Sequence, residues 1–383
     1  MTDERTDDIA RFVAELEAGG VLSDAAWREA FTKVPRHVFL PAFFTSLPDG
    51  RWQAMDQSHP DYWRLVYADT TLTTQLDATI HPDPSVGPVA GTGTSSSTQP
   101  GLMAAMLDAL RVTGGERVLE IGTGTGYNAA LLAHRLNAQD VTSVEVDAGV
   151  ADAARQRLVV AGYHLSVITG DGEQGWRPAA PYDRLIATVS VPAVPRAWLA
   201  QVRDGGAIVA SLWRDLGGAP LVRLEVDGDT AQGFFLPQPG GFMPVRSANR
   251  AMAALSAATR QIGISRTATV PSGVLHDDDA GLWLALQVPE VTWLGFTPDG
   301  GTDQVWLFAP DGSWAMVEDA TVHVEQYGPR NLWDEVEAAY DRWGAIGQPR
   351  RDRLGLTVTG TGEHQFWLDS PDATQWVDVP GRW

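Results

Sequence analysis

Cysteine is absent from this chain of 383 residues, which excludes disulfides, thiol nucleophiles and cysteine-built metal sites. Lysine is nearly absent: Lys33 is the only one, so almost every cation is an arginine. The formal net charge is −20 and no basic run occurs, so nucleic acid is not expected as a partner. An acidic surface of this kind serves solubility first. No stretch of about eighteen apolar residues is present to span a bilayer, and no membrane partner is expected. The opening residues, Met1 to Asp8, are polar and acidic and carry no apolar core of a signal peptide. A cytoplasmic location is the expectation. Internal repeats and low-complexity segments are missing too.

Apolar residues, in contrast, make up 44% of the chain, enough for a substantial core and, at this length, for two domains. The chain is organised around Val118-Leu-Glu-Ile-Gly-Thr-Gly-Thr-Gly-Tyr127. An apolar run at 117–121 drops into Gly122, Gly124 and Gly126, and a helical run at 129–136 follows at once. This pattern predicts a buried parallel strand, a tight turn and a helix start. Glycines let the backbone turn and approach a ligand, and the helix N-terminus offers free N–H groups. Glu120 stands just before the turn, where a carboxylate would repel a pyrophosphate and attract an ammonium group. Glu145 ends the next apolar run, in the place of the acid that holds ribose hydroxyls in such folds. Gly170-Asp171-Gly172 ends the third run, where Asp171 can accept from an adenine amino group. Together these residues read as an S-adenosylmethionine site rather than a nicotinamide one.

Along the chain, residues 7–32 predict two helices, with Ser23 as cap of the second. Phe31 to Pro41 closes this unit; Arg36 and His37 within it could face a site or solvent. Residues 45–100 read as irregular, and a connection of that length is functional or mobile. Thr94-Ser-Ser-Ser-Thr-Gln-Pro100 leads into a helical run at 102–110, with Ser97 or Thr98 as N-cap and Pro100 in the first turn. Hydroxyls at a helix start also suit an anionic substrate. From 117 to 236, apolar runs and helical stretches alternate, which predicts a doubly wound parallel sheet with ligands beyond the carboxyl ends of its strands.

After residue 247 the pattern becomes β-like, at 281–288, 291–296, 304–308 and 314–317, with turns at Pro298 and Pro310. A helix at 332–343 and strands at 354–358 and 365–368 follow. Nine of the fifteen tryptophans fall in this region, where sheet packing is the plain explanation and a peptide-binding groove the sharper one. His276-Asp-Asp-Asp279 is contiguous and turn-like, so no metal is expected there. The expected fold class is α/β: a Rossmann-like, doubly wound, mostly parallel sheet with N-terminal helices and a mixed, β-rich C-terminal domain. The expected divisions are 1–100, 101–246 and 247–383.

Residues 25–246 resemble the protein-L-isoaspartate (D-aspartate) O-methyltransferases. The resemblance rests on Val34 to Pro41, Tyr67-Ala-Asp69, Ser97-Thr-Gln-Pro100, Arg117 to Tyr127, Ser143-Val-Glu145, Gly170 to Trp176, Ala180-Pro-Tyr-Asp183 and Phe242-Met-Pro-Val245. It implies a methyltransferase fold with a reordered strand at one sheet edge, S-adenosylmethionine as cofactor and S-adenosylhomocysteine as product. It implies that Thr98, with Ser97 beside it, stands where the family places an active-site serine. By the same resemblance Glu120, Gly122, Thr123, Gly124, Gly126, Glu145, Val146, Asp171 and Gly172 hold the cofactor, together with Gln99 and Pro100. Asp69, Ser96 and Val191 fall on the substrate side.

Three departures stand out. Thr94 to Ser97 lacks the family's usual Gly-Gln-Thr-Ile, a stretch at roughly 76–93 is extra, and residues 247–383 run past the family's usual end. That combination resembles the branch that acts on ribosomally made peptides, such as the lanthipeptide- and graspetide-associated members. It implies a cyclised precursor peptide as partner, methylation of an ordinary aspartate, and attack of a backbone nitrogen on the ester to give an aspartimide. The alternative is repair of isoaspartyl residues in damaged proteins. A carboxylate is ionised at pH 7, so either reaction needs alignment rather than a strong base. Thr188-Val-Ser-Val-Pro192 stands where amino-methylating nucleic-acid enzymes carry Asn/Asp-Pro-Pro-Tyr, which disfavours that chemistry.

Overall fold

The computed structural model describes residues 3–242, 263–297, 303–319, 321–372 and 376–377. Met243 to Val245 of the family motif, the expected division at 246–247 and the turn at Pro298 lie outside the described residues. The chain forms two units: Met1–Val189 with Pro195–Ala210 and Glu225–Asp229, and Ser190–Val194 with Ser211–Leu224 and Thr230–Trp383.

The first unit begins with helices α1 (Asp3–Ala18) and α2 (Ala25–Lys33). Ile9, Phe12 and Leu16 recur at helical spacing and are buried with Trp27 and Phe31. The cap of α2 is Asp24 rather than Ser23: its Oδ1 accepts from the N–H groups of Ala26 and Trp27 at 2.8 and 2.9 Å. A short helix α3 (Arg36–Phe39) follows.

Residues 42–97 are far more ordered than their irregular composition suggests. They build a four-stranded antiparallel sheet from β1 (Ala42–Ser46), β2 (Trp52–Asp56), β3 (Leu72–Leu76) and β4 (Gly93–Ser97), in the order β2-β1-β3-β4, with helix α4 (Tyr62–Val66) between β2 and β3. Leu72 pairs with Ser97 and Thr73 with Ser96. The extra stretch is built into this sheet: Val89 bridges to Trp52, and the Trp52 indole donates to the Gly91 carbonyl at 2.8 Å. Phe44, Ala54 and Leu76 form its small core, with Trp52, Ile80 and Val89 packed against them. Burial of Phe44 and Leu76 contributes about 1.5–3 kcal/mol each.

Helix α5 (Pro100–Leu110) leads into the parallel sheet of β5 (Val118–Ile121), β6 (Val141–Glu145), β7 (Ser166–Thr169), β8 (Tyr182–Val191) and β9 (Val202–Leu212). Its order is β9-β8-β5-β6-β7, with β5 central between β6 and β8. Helices α6 (Tyr127–Arg135) and α7 (Ala148–Val160) make the crossovers, and α8 (Arg196–Leu199) follows β8. Every residue of β5 and β6 is buried, as expected of parallel strands covered on both faces. This is the α/β, Rossmann-like fold that the alternating pattern predicts.

The second unit holds β10 (Leu221–Asp227, of which 221–224 belong here) and β11 (Thr230–Phe235), followed by β12 (Ile264–Thr267). Residues 281–288 are a helix, not a strand: α9 spans Asp278–Gln287. Its residues from Ala280 onward are all buried, so no alternation or helical stripe marks it in sequence. Strands β13 (Thr292–Phe296), β14 (Gln304–Phe308), β15 (Trp314–Glu318) and β16 (His323–Tyr327) join β12 in the order β12-β16-β15-β14-β13. Helix α10 (Leu332–Ala345) packs with α9, and Leu284, Leu307, Val317, Trp333 and Val336 share one core. Strands β17 (Leu354–Val358), β18 (His364–Leu368) and β19 (Trp376–Val377) complete the unit beside β11.

Four of the described tryptophans of this unit are fixed by their indole N–H groups. The indoles of Trp283, Trp293, Trp343 and Trp367 donate to Ala339 O, Leu216 O, Pro349 O and Thr357 Oγ1. A Cβ on Gly355 would stand 2.1 Å from the Trp367 ring, so glycine is what admits that indole. Asp277, from the acidic run after His276, caps α9 by accepting from Asp279 N and Ala280 N. Among the described residues no group of His, Asp and Glu is arranged to hold a metal, and no helix is long and apolar enough to cross a membrane.

Candidate active site

The glycine turn after β5 has the geometry its residues demand. Gly122, Gly124 and Gly126 take φ of 93°, 53° and 89°, in the left-handed region that disfavours side chains. A Cβ on Gly122 would also stand 2.6 Å from Val189 Cγ1. The turn is held from both sides: Thr188 Oγ1 donates to the Gly122 carbonyl at 2.7 Å, and the Gly124 N–H donates to Glu145 Oε2 at 2.9 Å. Glu145 Oε1 also accepts from Asp147 N at 3.1 Å. Val146, next to it, is 54% exposed.

Glu120 does not present its carboxylate at the surface of the turn. It is fully buried, accepts from Asn128 Nδ2 at 2.8 Å and from Ser143 Oγ, and lies under the turn rather than in front of it. Thr123 is likewise buried, with its hydroxyl 2.6 Å from Ser143 Oγ. Burial pushes the Glu120 carboxyl up to about 7 against the hydrogen bonds from Ser143 and Asn128. Asn128 and Ser143 are therefore the residues that hold the Glu120 carboxylate in place. The buried Asn128 Oδ1 has no hydrogen-bond partner among the described residues.

Asp171 is exposed and turns its Oδ1 to Glu173 N at 2.9 Å. It lines a cavity of about 450 Å³ with Val144, Ile168, Trp176, Arg177 and Gln201. A Cβ on Gly172 would stand 2.5 Å from Ile121, and its carbonyl accepts from the Trp198 indole at 2.8 Å.

The segment before α5 is arranged differently from its sequence reading. Ser97 is buried, and its hydroxyl accepts from Arg36 Nη2 at 3.3 Å, so it faces the interior rather than a substrate. Thr98 is half-buried, gives its carbonyl to the same guanidinium, and leaves its hydroxyl without a partner among the described residues. Gln99 is exposed and donates its amide to Asp69 Oδ2 at 3.0 Å, and Pro100 is buried as the first residue of α5. Asp69 accepts from Gly101 N at 2.6 Å. It already fills the anion position at the start of α5, where substrate was expected. Ser96 lies against the glycine turn: a Cβ on Gly124 would stand 3.4 Å from its carbonyl oxygen. Val191 belongs to the second unit, where it is fully buried with its carbonyl bonded to Trp213 N, so its side chain is not exposed to a ligand.

Carboxylates around a glycine turn, a cradle that a Cβ would fill and a buried orphan acceptor fit a ligand carrying an ammonium group and a ribose. A pyrophosphate would be repelled. Fold and site are those of an S-adenosylmethionine-dependent methyltransferase. Residues 60–223 match the family model described as protein-L-isoaspartate(D-aspartate) O-methyltransferase. The chain is 34% identical over 227 residues to the protein-L-isoaspartate O-methyltransferase of Methanoregula boonei, covering 58% of this chain and 86% of that one. It is 29% identical over 249 residues to the one from Ignicoccus hospitalis, covering 64% and 98%. A solved protein-L-isoaspartate O-methyltransferase structure shares the fold, with a TM-score of 0.54 and 22% identity over 94% of this chain and 100% of the other. The chain belongs to the protein-L-isoaspartate O-methyltransferase family, whose members are carboxyl O-methyltransferases.

Proposed function

We propose that this enzyme methylates the side-chain carboxylate of an L-isoaspartyl residue in a protein or peptide. One observation carries the reading: Thr98, its hydroxyl uncommitted, stands two residues after Ser96, whose carbonyl lies beside the glycine turn. A substrate carboxylate held by Thr98 is thereby close to the cofactor. S-adenosylmethionine, when bound, supplies an activated methyl group. Glu145 and the turn from Gly122 to Gly126 would border its ribose and methionine parts, Asn128 Oδ1 would offer an acceptor for the ammonium group, and Asp171 would take the adenine amino group. Gly172 and Val146 border that end.

The substrate carboxylate is ionised at neutral pH and needs no general base. The Thr98 hydroxyl would donate to one carboxylate oxygen and leave the other to form the new C–O bond as the sulfonium C–S bond breaks and S-adenosylhomocysteine leaves. Alignment with desolvation supplies the rate. Thr98→Val should lower kcat about 100-fold while leaving S-adenosylhomocysteine affinity within twofold by calorimetry. Unchanged turnover would remove Thr98 from the mechanism.

A second reading has its own support. The residues at 76–93 are built into the sheet that ends at Ser96 and Ser97, so the substrate side is reshaped by ordered structure. That favours a dedicated partner: an ordinary aspartate in a cyclised, ribosomally made peptide, with the ester passing on to an aspartimide. Methylation of such a cyclised peptide but not of a linear isoaspartyl peptide would select this reading.

A further inference from the structure

We propose that Arg36, together with Asp69, is a positioning residue: a buried clamp that fixes the run Ser97 to Gly101 and so aims the Thr98 hydroxyl. The inference rests on the role given to Thr98 above. The Arg36 side chain is fully buried, although it stands in a stretch whose sequence suits solvent equally well. It donates to five oxygens drawn from two distant stretches. Nη1 donates to the carbonyls of Val66 and Ala68 at 3.2 and 3.0 Å. Nη2 donates to the Thr70 carbonyl at 3.0 Å, to Ser97 Oγ at 3.3 Å and to the Thr98 carbonyl at 3.2 Å.

The first stretch carries Asp69, and Asp69 returns the link. Its carboxylate accepts from the Gly101 N–H at 2.6 Å and from Gln99 Nε2 at 3.0 Å. Thr98 is therefore tied on its own carbonyl by the cation and three residues later by the anion, while its hydroxyl has no partner among the described residues. A planar guanidinium with five N–H donors can reach several carbonyls at fixed angles, which a lysine ammonium cannot reproduce. Burying a cation among carbonyls is a costly way to close a loop, and fixed geometry is what it supplies. Arg36 makes no hydrogen bond to Gly122–Gly126 among the described residues and meets Thr98 at its carbonyl, so its effect on transfer runs through the Thr98 main chain.

The test is a double-mutant cycle on kcat, with S-adenosylmethionine and a short L-isoaspartyl peptide, across Arg36→Lys, Thr98→Val and the double variant. Arg36→Lys should lower kcat about 100-fold in the native background and less than about threefold when combined with Thr98→Val, with S-adenosylhomocysteine affinity unchanged. Equal losses in both backgrounds, or loss of cofactor affinity, would make Arg36 a general structural residue and overturn the proposal. Native turnover by Thr98→Val alone would instead sink the role of Thr98, a separate failure. Amide exchange in the full-length chain gives a readout independent of turnover: Arg36→Lys should speed exchange across 95–103 and leave 118–127 unaltered. Unaltered exchange across 95–103 would also refute the clamp. If Arg36→Lys does not accumulate, Gly101→Ala opens the clamp from its other end, since a Cβ there would stand 2.7 Å from Asp69 Oδ2. The same dependence on Thr98 is expected, and native turnover in Gly101→Ala would contradict it.

Discussion

The Asp69 carboxylate and the Gly101 N–H meet at 2.6 Å, and the glycine leaves just enough room for that contact at the start of α5. A residue that the family resemblance puts on the substrate side is thus a helix cap contributed by a different part of the chain. Asp69→Ala should cost about 1 kcal/mol, and Asp69→Asn, which keeps a capping oxygen, less than half of that. Chemical denaturation of the two variants checks this. Equal losses would mean that the charge, not the cap, matters.

Glu120 gives a pH signature. Its folded-state pKa, about 7, is raised above the ordinary carboxyl value of 4.5 by burial. The folded protein therefore binds more protons than the unfolded chain between these values. The corresponding stability is fully present below about pH 4.5 and lost as pH rises through about 7. Glu120→Gln should flatten the thermal midpoint over that window relative to the native chain. Parallel pH profiles for the two proteins would contradict the assignment.

Gly122→Ala tests the turn itself. A methyl group there would meet Val189 Cγ1 at 2.6 Å in a backbone conformation with φ of 93°. Strain of about 1–3 kcal/mol is expected, with at least about a tenfold loss of S-adenosylhomocysteine affinity by calorimetry. Native affinity would mean that the turn is not the cofactor cradle.

In the second unit, the acidic run after His276 serves a helix. Asp277→Ala should lower stability by about 1 kcal/mol, because two N–H groups at the start of α9 lose their acceptor. Added calcium should leave the thermal midpoint of the native chain where it is. A calcium-dependent rise would restore a metal role to these carboxylates.

How much of this was legible depends on whether the physical reason is local. Gly122, Gly124 and Gly126 could be read from the chain because a positive φ is a property of one residue. The alternating runs predicted β5 to β9 for a similar reason: strand, turn and helix are each short-range patterns. The sheet of β1 to β4 was not legible, because its pairings join residues as far apart as Phe44 and Thr73. Helix α9 was misread because complete burial erases the stripe that marks a surface helix. Arg36 and Ser97 were misjudged alike: a buried cation is recognised only by its acceptors, which lie 30 to 62 positions away. The cofactor motif told which ligand the turn suits, but not that Glu120 would lie beneath it, bonded to Asn128 and Ser143.

The most direct measurement is transfer of labelled methyl from S-adenosylmethionine to a linear L-isoaspartyl peptide, beside its ordinary aspartyl twin. The account predicts a base-labile methyl ester on the isoaspartyl peptide and none on the twin. No ester on the isoaspartyl peptide, from protein that still binds S-adenosylhomocysteine, would contradict it.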